Sequence, residues 1–335
     1  MNDPAISVLL PFRDAATTLG ESLESLLNQT ESRWELVAVD DGSTDASVEI
    51  LRQWNDERVR IVTSQGQGIV DALNTGRRLC RAPWIARMDA DDRCHPERFE
   101  AQLAHASAHP RLSVIGCRVT AFPAEDITDG MRHYLGWLNH LLEPQDIARE
   151  ILVESPIAHP SATIRASALE AIGGYRDGDF PEDYDLWLRL HGAGHLFGKV
   201  DRALLEWRDG DSRLSRTDPR YRPEAFRALK AAALTRDWLG ERREVQIWGA
   251  GPDGKKWRHA LLKEGVRVVR FFDIDPRKIG GKVGDEVPVL DAQTVAEHRG
   301  IPLLGAVGVK GARAEIQTAL NALGWVEGED HFFVQ

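Results

Sequence analysis

The sequence predicts an α/β protein: a mostly parallel sheet with helices on both faces, followed by a second, smaller Rossmann-like α/β unit. Three observations predict it. Short, mostly apolar runs alternate with apolar residues at helical spacing from Ile6 to Gly116, the pattern of β-α-β units. The strand-like runs end on Pro11, Asp40 or Asp89, residues that turn a chain at a sheet edge. From Glu241 onward the alternation resumes around a glycine-rich turn.

Taken in order, Ile6-Ser7-Val8-Leu9-Leu10 reads as a buried strand ended by Pro11, and Leu19, Leu23, Leu26 and Leu27 mark a helix. Glu35 to Val39 is a second strand, running into Asp40-Asp41-Gly42-Ser43, with Val48, Leu51 and Trp54 on the next helix. Val59 to Val62 is a third strand, and the helix after it covers Gly68 to Cys80. Trp84 to Met88 is a fourth strand, followed by Asp89-Ala90-Asp91-Asp92, and Pro96 stands where a helix would begin. Leu112 to Gly116 is a fifth strand. Residues 121 to 180 break the alternation, although Tyr134, Leu138, Leu141 and Leu142 form an apolar helical face that reads as core. Arg213 to Pro223 reads as a loop and 224 to 240 as helix.

The length of 335 residues suits two domains, placed here at 1–240 and 241–335. Lys and Arg number 42 against 52 Asp and Glu, a formal charge of -10, which argues against a chain that grips a nucleic-acid backbone. Cys80, Cys94 and Cys117 form no Cys-x-x-Cys pair, so a reducing, cytoplasmic setting is expected. No signal peptide and no membrane-spanning run of about 20 apolar residues is expected. The first lysine is Lys199; codon bias explains this more simply than a demand for arginine.

In a parallel sheet Pro11, Asp40 and Asp89, each placed directly after a strand, share one rim, where open α/β sheets bind ligands. Asp89-x-Asp91 can share a divalent cation, and hard carboxylate oxygens suit Mg²⁺ or Mn²⁺ beside phosphate oxygens. Helix capping is the better explanation of such a turn when it stands alone. Glu182-Asp183 precedes the helical pattern of Leu186 and Leu190. Acids in a first helical turn are favoured by the macrodipole, and a carboxylate base would also stand there.

Four segments in this order and spacing, Ile6 to Phe12, Val39 to Asp45, Ala86 to Asp92 and Glu182 to Trp187, resemble family 2 glycosyltransferases with the GT-A fold. The resemblance covers residues 5 to about 215. It implies that Pro11, Arg13, Asp40, Asp41, Gly68, Asn74, Asp89 and Ala90 lie along a nucleotide-sugar, with Asp40 or Asp41 at the base and ribose. It implies Asp89 and Asp91 as cation ligands, Asp91 foremost, and Asp183 as general base with Glu182 beside it at the acceptor. His159, in His159-Pro160-Ser161, is a further metal ligand, an acceptor contact, or a buried hydrogen-bonded histidine.

The implied reaction is inverting transfer of a sugar from a nucleoside diphosphate, UDP foremost, to an acceptor hydroxyl. The implied acceptor is a glycan or lipid-linked precursor of cell-surface polysaccharide, which would bring the enzyme to the inner face of the membrane. Leu73 before Asn74, and Gly210 after Trp207-Arg208-Asp209, depart from many relatives. No Gln-x-x-Arg-Trp motif follows, so a processive synthase is not implied.

In the C-terminal unit, Gly249-x-Gly251-x-x-Gly254 follows a strand and opens a helix, and Asp273 comes 19 residues after Gly254. This is the context of a dinucleotide fingerprint. The unit also resembles the small N-terminal domain of sugar O-acyltransferases, which implies a nucleotide-sugar; a docking unit without ligand is the third reading. Two functions of other classes stay open beside transfer: an NAD(P)-dependent sugar oxidoreductase and a non-catalytic nucleotide-sugar-binding protein.

Overall fold

A computed structural model describes residues 3–66, 68–210, 213–284 and 286–335. The chain divides into two compact units. The first comprises residues up to Ala148 together with Pro156–Pro219; the second comprises Arg149–Ser155 and Arg220–Gln335.

The first unit is built on an eight-stranded sheet. Its strands are β1 (Ile6–Phe12), β2 (Trp34–Asp40), β3 (Val59–Thr63), β4 (Trp84–Arg87), β5 (Arg93–Cys94), β6 (Leu112–Phe122), β7 (Thr163–Arg165) and β8 (Leu196–Arg208), in the order β3-β2-β1-β4-β7-β6-β8-β5. The first four are parallel, β6 and β8 are parallel, and β7 and β5 run against their neighbours. Every residue of β1 and β2 is buried, as expected of central parallel strands covered on both faces. The helix Ile69–Arg77 lies close on this sheet because residue 76 is glycine: a Cβ there would come 2.3 Å from Leu9 Cδ1 and 2.7 Å from Val39 Cγ2.

Most of the expected strands are present within a residue or two. The fifth is longer than expected, eleven residues from Leu112 to Phe122, because β8 pairs with it along its whole length. That pairing, and the short antiparallel strands β5 and β7, carry no alternation signal in the sequence. Within 213–223, read as a loop, the structure has a short helix, Leu214–Thr217.

Beneath the strand ends lies a polar plug. Arg98 is fully buried and donates to Arg87 O at 3.0 Å and Cys94 Sγ at 3.2 Å. Gln102, on the same helix (Arg98–Ala108), donates to Ile115 O and Ser161 O and accepts from Thr163 Oγ1. These two side chains tie β4, β6 and β7 together with directional bonds in a dry setting, where each is worth more than at the surface.

The second unit has six strands, β9 (Glu244–Trp248), β10 (Arg267–Asp273), β11 (Lys282–Val283), β12 (Val287–Asp291), β13 (Leu303–Gly305) and β14 (His331–Phe333), in the order β11-β12-β10-β9-β13-β14. All pairs but β11–β12 are parallel. The helix Pro223–Ala233, read from sequence as the close of a first domain ending at residue 240, packs on the helix Pro252–Lys263 and so belongs to this unit. Its Lys230 donates to Val153 O and Val334 O, each at 3.0 Å, and Arg313 forms a two-bond pair with Glu150 at 2.7 Å. These bonds hold the segment 149–155 in the unit.

Lys199 in β8 is buried, and its ammonium donates to Leu138 O at 2.6 Å. Burial pushes its pKa down from 10.5 to about 7. The unfolded chain therefore binds the extra proton between these values, and stability rises with pH across that window. Urea unfolding of wild type and Lys199→Met from pH 6 to pH 10 should show wild type gaining on the variant as pH rises; a constant difference would refute the lowered pKa of Lys199.

Candidate active site

The C-terminal ends of β1, β2 and β4 lie on one rim, with Phe12 opposite Asp40 and Leu9 opposite Arg87 in register. The β1 and β2 loops are cross-stitched. Asp14, in the left-handed region at φ 48°, accepts from Thr44 N at 2.7 Å; Ala15 N donates to Ser47 Oγ and Ala16 N to Asp45 Oδ2. Pro11 is buried at the end of β1, and Arg13 stands exposed beyond it.

The two acids after β2 have different surroundings. Asp40 Oδ1 accepts from Ser43 N at 2.8 Å and closes its own turn; its other oxygen has no protein partner among the described residues. Asp41 receives the Gly68 N–H on both oxygens, at 3.0 and 2.9 Å, and Ser64 Oγ–H at 3.0 Å. Asp41 thus braces the turn at Gly68, whose φ of +95° suits glycine. Asn74 is also committed to structure: its side chain donates to Tyr175 O and accepts from Tyr175 N and Arg77 Nε.

After β4, one oxygen or more of Asp89, Asp91 and Asp92 lie within 4.8 Å of one another. Asp89 Oδ1 accepts from Arg87 Nη2 at 2.6 Å. Ala90 is buried between the first two acids. Asp92 is 1% exposed; its Oδ1 accepts from Arg208 N at 2.7 Å, and its Oδ2 is buried with no partner. Burial, and then the neighbouring Asp89, push Asp91 up to about 6; burial and both neighbours hold Asp92 well above the usual carboxylate range. Three crowded carboxylates with an orphaned buried oxygen are a hard-oxygen donor set that fits Mg²⁺ or Mn²⁺.

Arg87 is the hub. It is 3% exposed, and its Nε and Nη1 are buried without partners. Its charge is felt by Asp89, Tyr175 and Glu182, and together with burial it drives His159 well below its ordinary pKa. His159 Nε2 lies 3.0 Å from Tyr175 Oη, and its ring meets Trp187 edge-on. His159 stands outside the acid cluster; its geometry is that of the buried, hydrogen-bonded alternative.

Glu182 and Asp183 open the helix Glu182–Gly192. Glu182 is buried, whereas Asp183 is partly exposed and accepts from Tyr184 N at 2.7 Å. Both acids act on the Tyr175 phenol electrostatically. Asp185, on the same turn, is wholly buried and held by Arg176 and Arg189. Hydrogen bonds thus join Asp89 to Arg87 and His159 to Tyr175, the buried Arg87 charge reaches Tyr175, His159 and Glu182, and Asp183 acts on Tyr175 from the partly exposed side.

Arg87, Asp92, Tyr175 and Arg208 also belong to the site and are not among the residues that the sequence marks for it. The signal for Arg87 was present, since a charged residue inside the apolar run Trp84 to Met88 demands a buried partner.

In the second unit, Gly249, Gly251, Gly254 and Asp273 meet at the ends of β9 and β10. Asp273 is fully engaged: Oδ1 accepts from Asp275 N, and Oδ2 accepts from Ala250 N and Lys278 Nζ, all at 2.9 Å.

Residues 7–173 match the family Glycosyl transferase family 2. The chain is 30% identical over 225 residues to the putative glycosyltransferase EpsE of Bacillus subtilis, covering 65% of this chain and 78% of that protein. It is 29% identical to the amylovoran biosynthesis glycosyltransferase AmsE of Erwinia amylovora, over 63% of this chain and 78% of that one. The fold is similar to that of S. aureus TarS 1-349 solved with UDP-GlcNAc, at TM-score 0.58 and 16% identity, over 76% of this chain and 71% of that chain. The chain belongs to glycosyltransferase family 2, and it is a glycosyltransferase. No helix among the described residues is long and apolar enough to cross a membrane.

Removing the Arg87 charge withdraws an influence that lowers the pKa of both Asp91 and Asp92. Wild-type affinity for Mn²⁺, titrated calorimetrically, should fall as pH drops through about 6, because the cluster then holds protons the cation must displace. In Arg87→Gln that fall should move to higher pH; an unshifted profile would disconnect Arg87 from the cluster.

Proposed function

We propose that the chain is an inverting, divalent-cation-dependent transferase that moves a sugar from a nucleoside-diphosphate-sugar, UDP foremost, to the hydroxyl of a growing glycan. The observation that carries this reading is the electrostatic continuity from the Asp89–Asp91–Asp92 cluster through buried Arg87 to Glu182 and Asp183. The role in amylovoran biosynthesis named for the Erwinia amylovora relative supports a glycan acceptor, free or lipid-linked. Such an acceptor would place the work at the cytoplasmic membrane surface.

On this reading Pro11, Arg13 and Gly68 border the nucleotide. Asp40 accepts from the base or ribose with its second oxygen, while Asp41 and Asn74 shape the wall behind. Asp89, Asp91 and Asp92 would hold Mg²⁺ or Mn²⁺, which when bound supplies positive charge against the leaving diphosphate. Asp183 is the partly exposed acid of its pair, so it can receive the acceptor's proton as the hydroxyl attacks. Glu182, buried against the Arg87 charge, orients that end of the site. A single displacement from the face opposite the diphosphate inverts the anomeric carbon. The second unit is a binding module that holds a nucleotide. The oxidoreductase alternative loses its main support, because Asp273 spends its carboxylate on the protein's own donors.

Asp183→Asn should lower kcat by about 10²- to 10⁴-fold, the usual worth of general-base help, with donor affinity nearly unchanged. Release of UDP from UDP-sugars in the presence of acceptor, with donor binding measured separately, checks this; near-wild-type kcat would remove Asp183 from the chemistry. Asp91→Asn should abolish stimulation by Mn²⁺ at every concentration tried. Stimulation that persists would move the cation elsewhere.

A further inference from the structure

We propose that the second unit binds a nucleoside diphosphate in the cavity at the ends of β9, β10 and β13, with the diphosphate over Gly251 and Lys310 as its counter-charge. This deepens the nucleotide reading of that unit and rests on it.

The cavity holds about 590 Å³, within the range of small-molecule sites. It opens where β9 has β10 on one side and β13 on the other, the point at which the chain, having added β10 and β12 on one side of β9, returns to add β13 on the other. Such switch points are where parallel sheets receive ligands.

The three glycines of the turn differ in what requires them. Gly249 has φ +114°, and a Cβ on it would come 2.8 Å from Ala306 O. A Cβ on Gly254 would come 1.9 Å from Gly249 O. Both are required by the fold itself. Gly251 has φ -79°, open to any residue, and a Cβ there meets no atom within 4 Å. Nothing in the protein demands glycine at this position, and it lines the cavity. Its missing side chain leaves room for something that must come close to the backbone.

The charges of the lining narrow the ligand. Asp253, Asp273 and Asp275 are paired with Lys256, Lys278 and Arg277 respectively. Lys310 and Glu315 also line the cavity, and neither has an ion-pair partner among the described residues. An exposed ammonium suits an anion, and a carboxylate that can only accept suits hydroxyls. Ile274 and Val309 line it as well, 75% and 71% exposed, and offer apolar surface to a flat ring. Anion, hydroxyls and planar ring together describe a nucleoside diphosphate. Because Asp273 is committed to Ala250, Asp275 and Lys278, no acid is left at the position that reads ribose in a dinucleotide fold.

Hydrogen-exchange mass spectrometry on the full chain tests this, with ADP, UDP and NAD⁺ as probes on wild type, Gly251→Val and Lys310→Glu. ADP or UDP should protect peptides over 248–254 and 306–312 in wild type. In Gly251→Val the nucleotide needed for that protection should rise by about tenfold or more, while the ligand-free melting temperature stays at the wild-type value. If Gly251→Val does not fold, Lys310→Glu, at an exposed position, carries the same expectation. Protection of these peptides that is unchanged in the folded variants would overturn the Gly251 subsite and leave the nucleotide reading standing. Protection confined to the first unit, or absent, would overturn the nucleotide reading itself. NAD⁺ protecting at well below the effective ADP concentration would overturn the choice of a nucleoside diphosphate over a dinucleotide.

Discussion

Three carboxylates within 4.8 Å, one of them almost completely buried, repel one another strongly in a region where water screens little, and the site is organised around relieving that repulsion. Arg87 supplies a permanent positive charge at 2.6 Å from Asp89, and the Arg208 backbone N–H supplies a bond to Asp92. Burial, and then the repulsion that remains, favour the protonated acids, which pushes Asp91 up to about 6 and holds Asp92 well above the usual carboxylate range. The cluster is thus poised to exchange protons for a doubly charged ion. The same guanidinium is felt by Glu182, and burial together with that charge holds His159 well below its ordinary pKa, so the acid cluster and the start of the helix Glu182–Gly192 share one buried charge.

A buried arginine with two unpartnered donor atoms is costly, and its surroundings must hold it still. The Arg98–Gln102 plug does so from below, since Arg98 donates to the carbonyl of Arg87 itself. The stitching of 14–16 to 44–47 and the clamp of Asp41 on Gly68 fix the loops above. The rim therefore consists of short loops tied to each other by side-chain hydrogen bonds. Loops fixed in this way can present carboxylates at set separations, as a cation site requires.

Much of this arrangement was legible in the sequence, and what was missed follows a physical pattern. Strands β1, β2 and β4 announce themselves because parallel strands buried on both faces must be mostly apolar, and the acids at the ends of β2 and β4 must then share a rim. Strands β5, β7 and β8 were not legible, because their pairing depends on partners distant in sequence. The same limit applies to the site. Asp40 and Asp41 are adjacent and chemically identical, and only the position of Gly68 separates an acid that closes its own turn from a brace. Asn74 resembles a ligand contact until Tyr175 is seen occupying its amide. Arg87 was visible as an anomaly in an apolar run, but its partners come from four separate segments.

The membership of residues 149–155 in the second unit means that the polypeptide passes from one unit to the other three times, at 148/149, 155/156 and 219/220. No single cut can separate the halves. A fragment ending at 219 would carry seven residues stripped of the Lys230 and Arg313 that clasp them, and a fragment starting at 220 would leave Arg313 without Glu150. The appended module is laced into the catalytic chain, so inheriting one without the other would require both to be re-sewn.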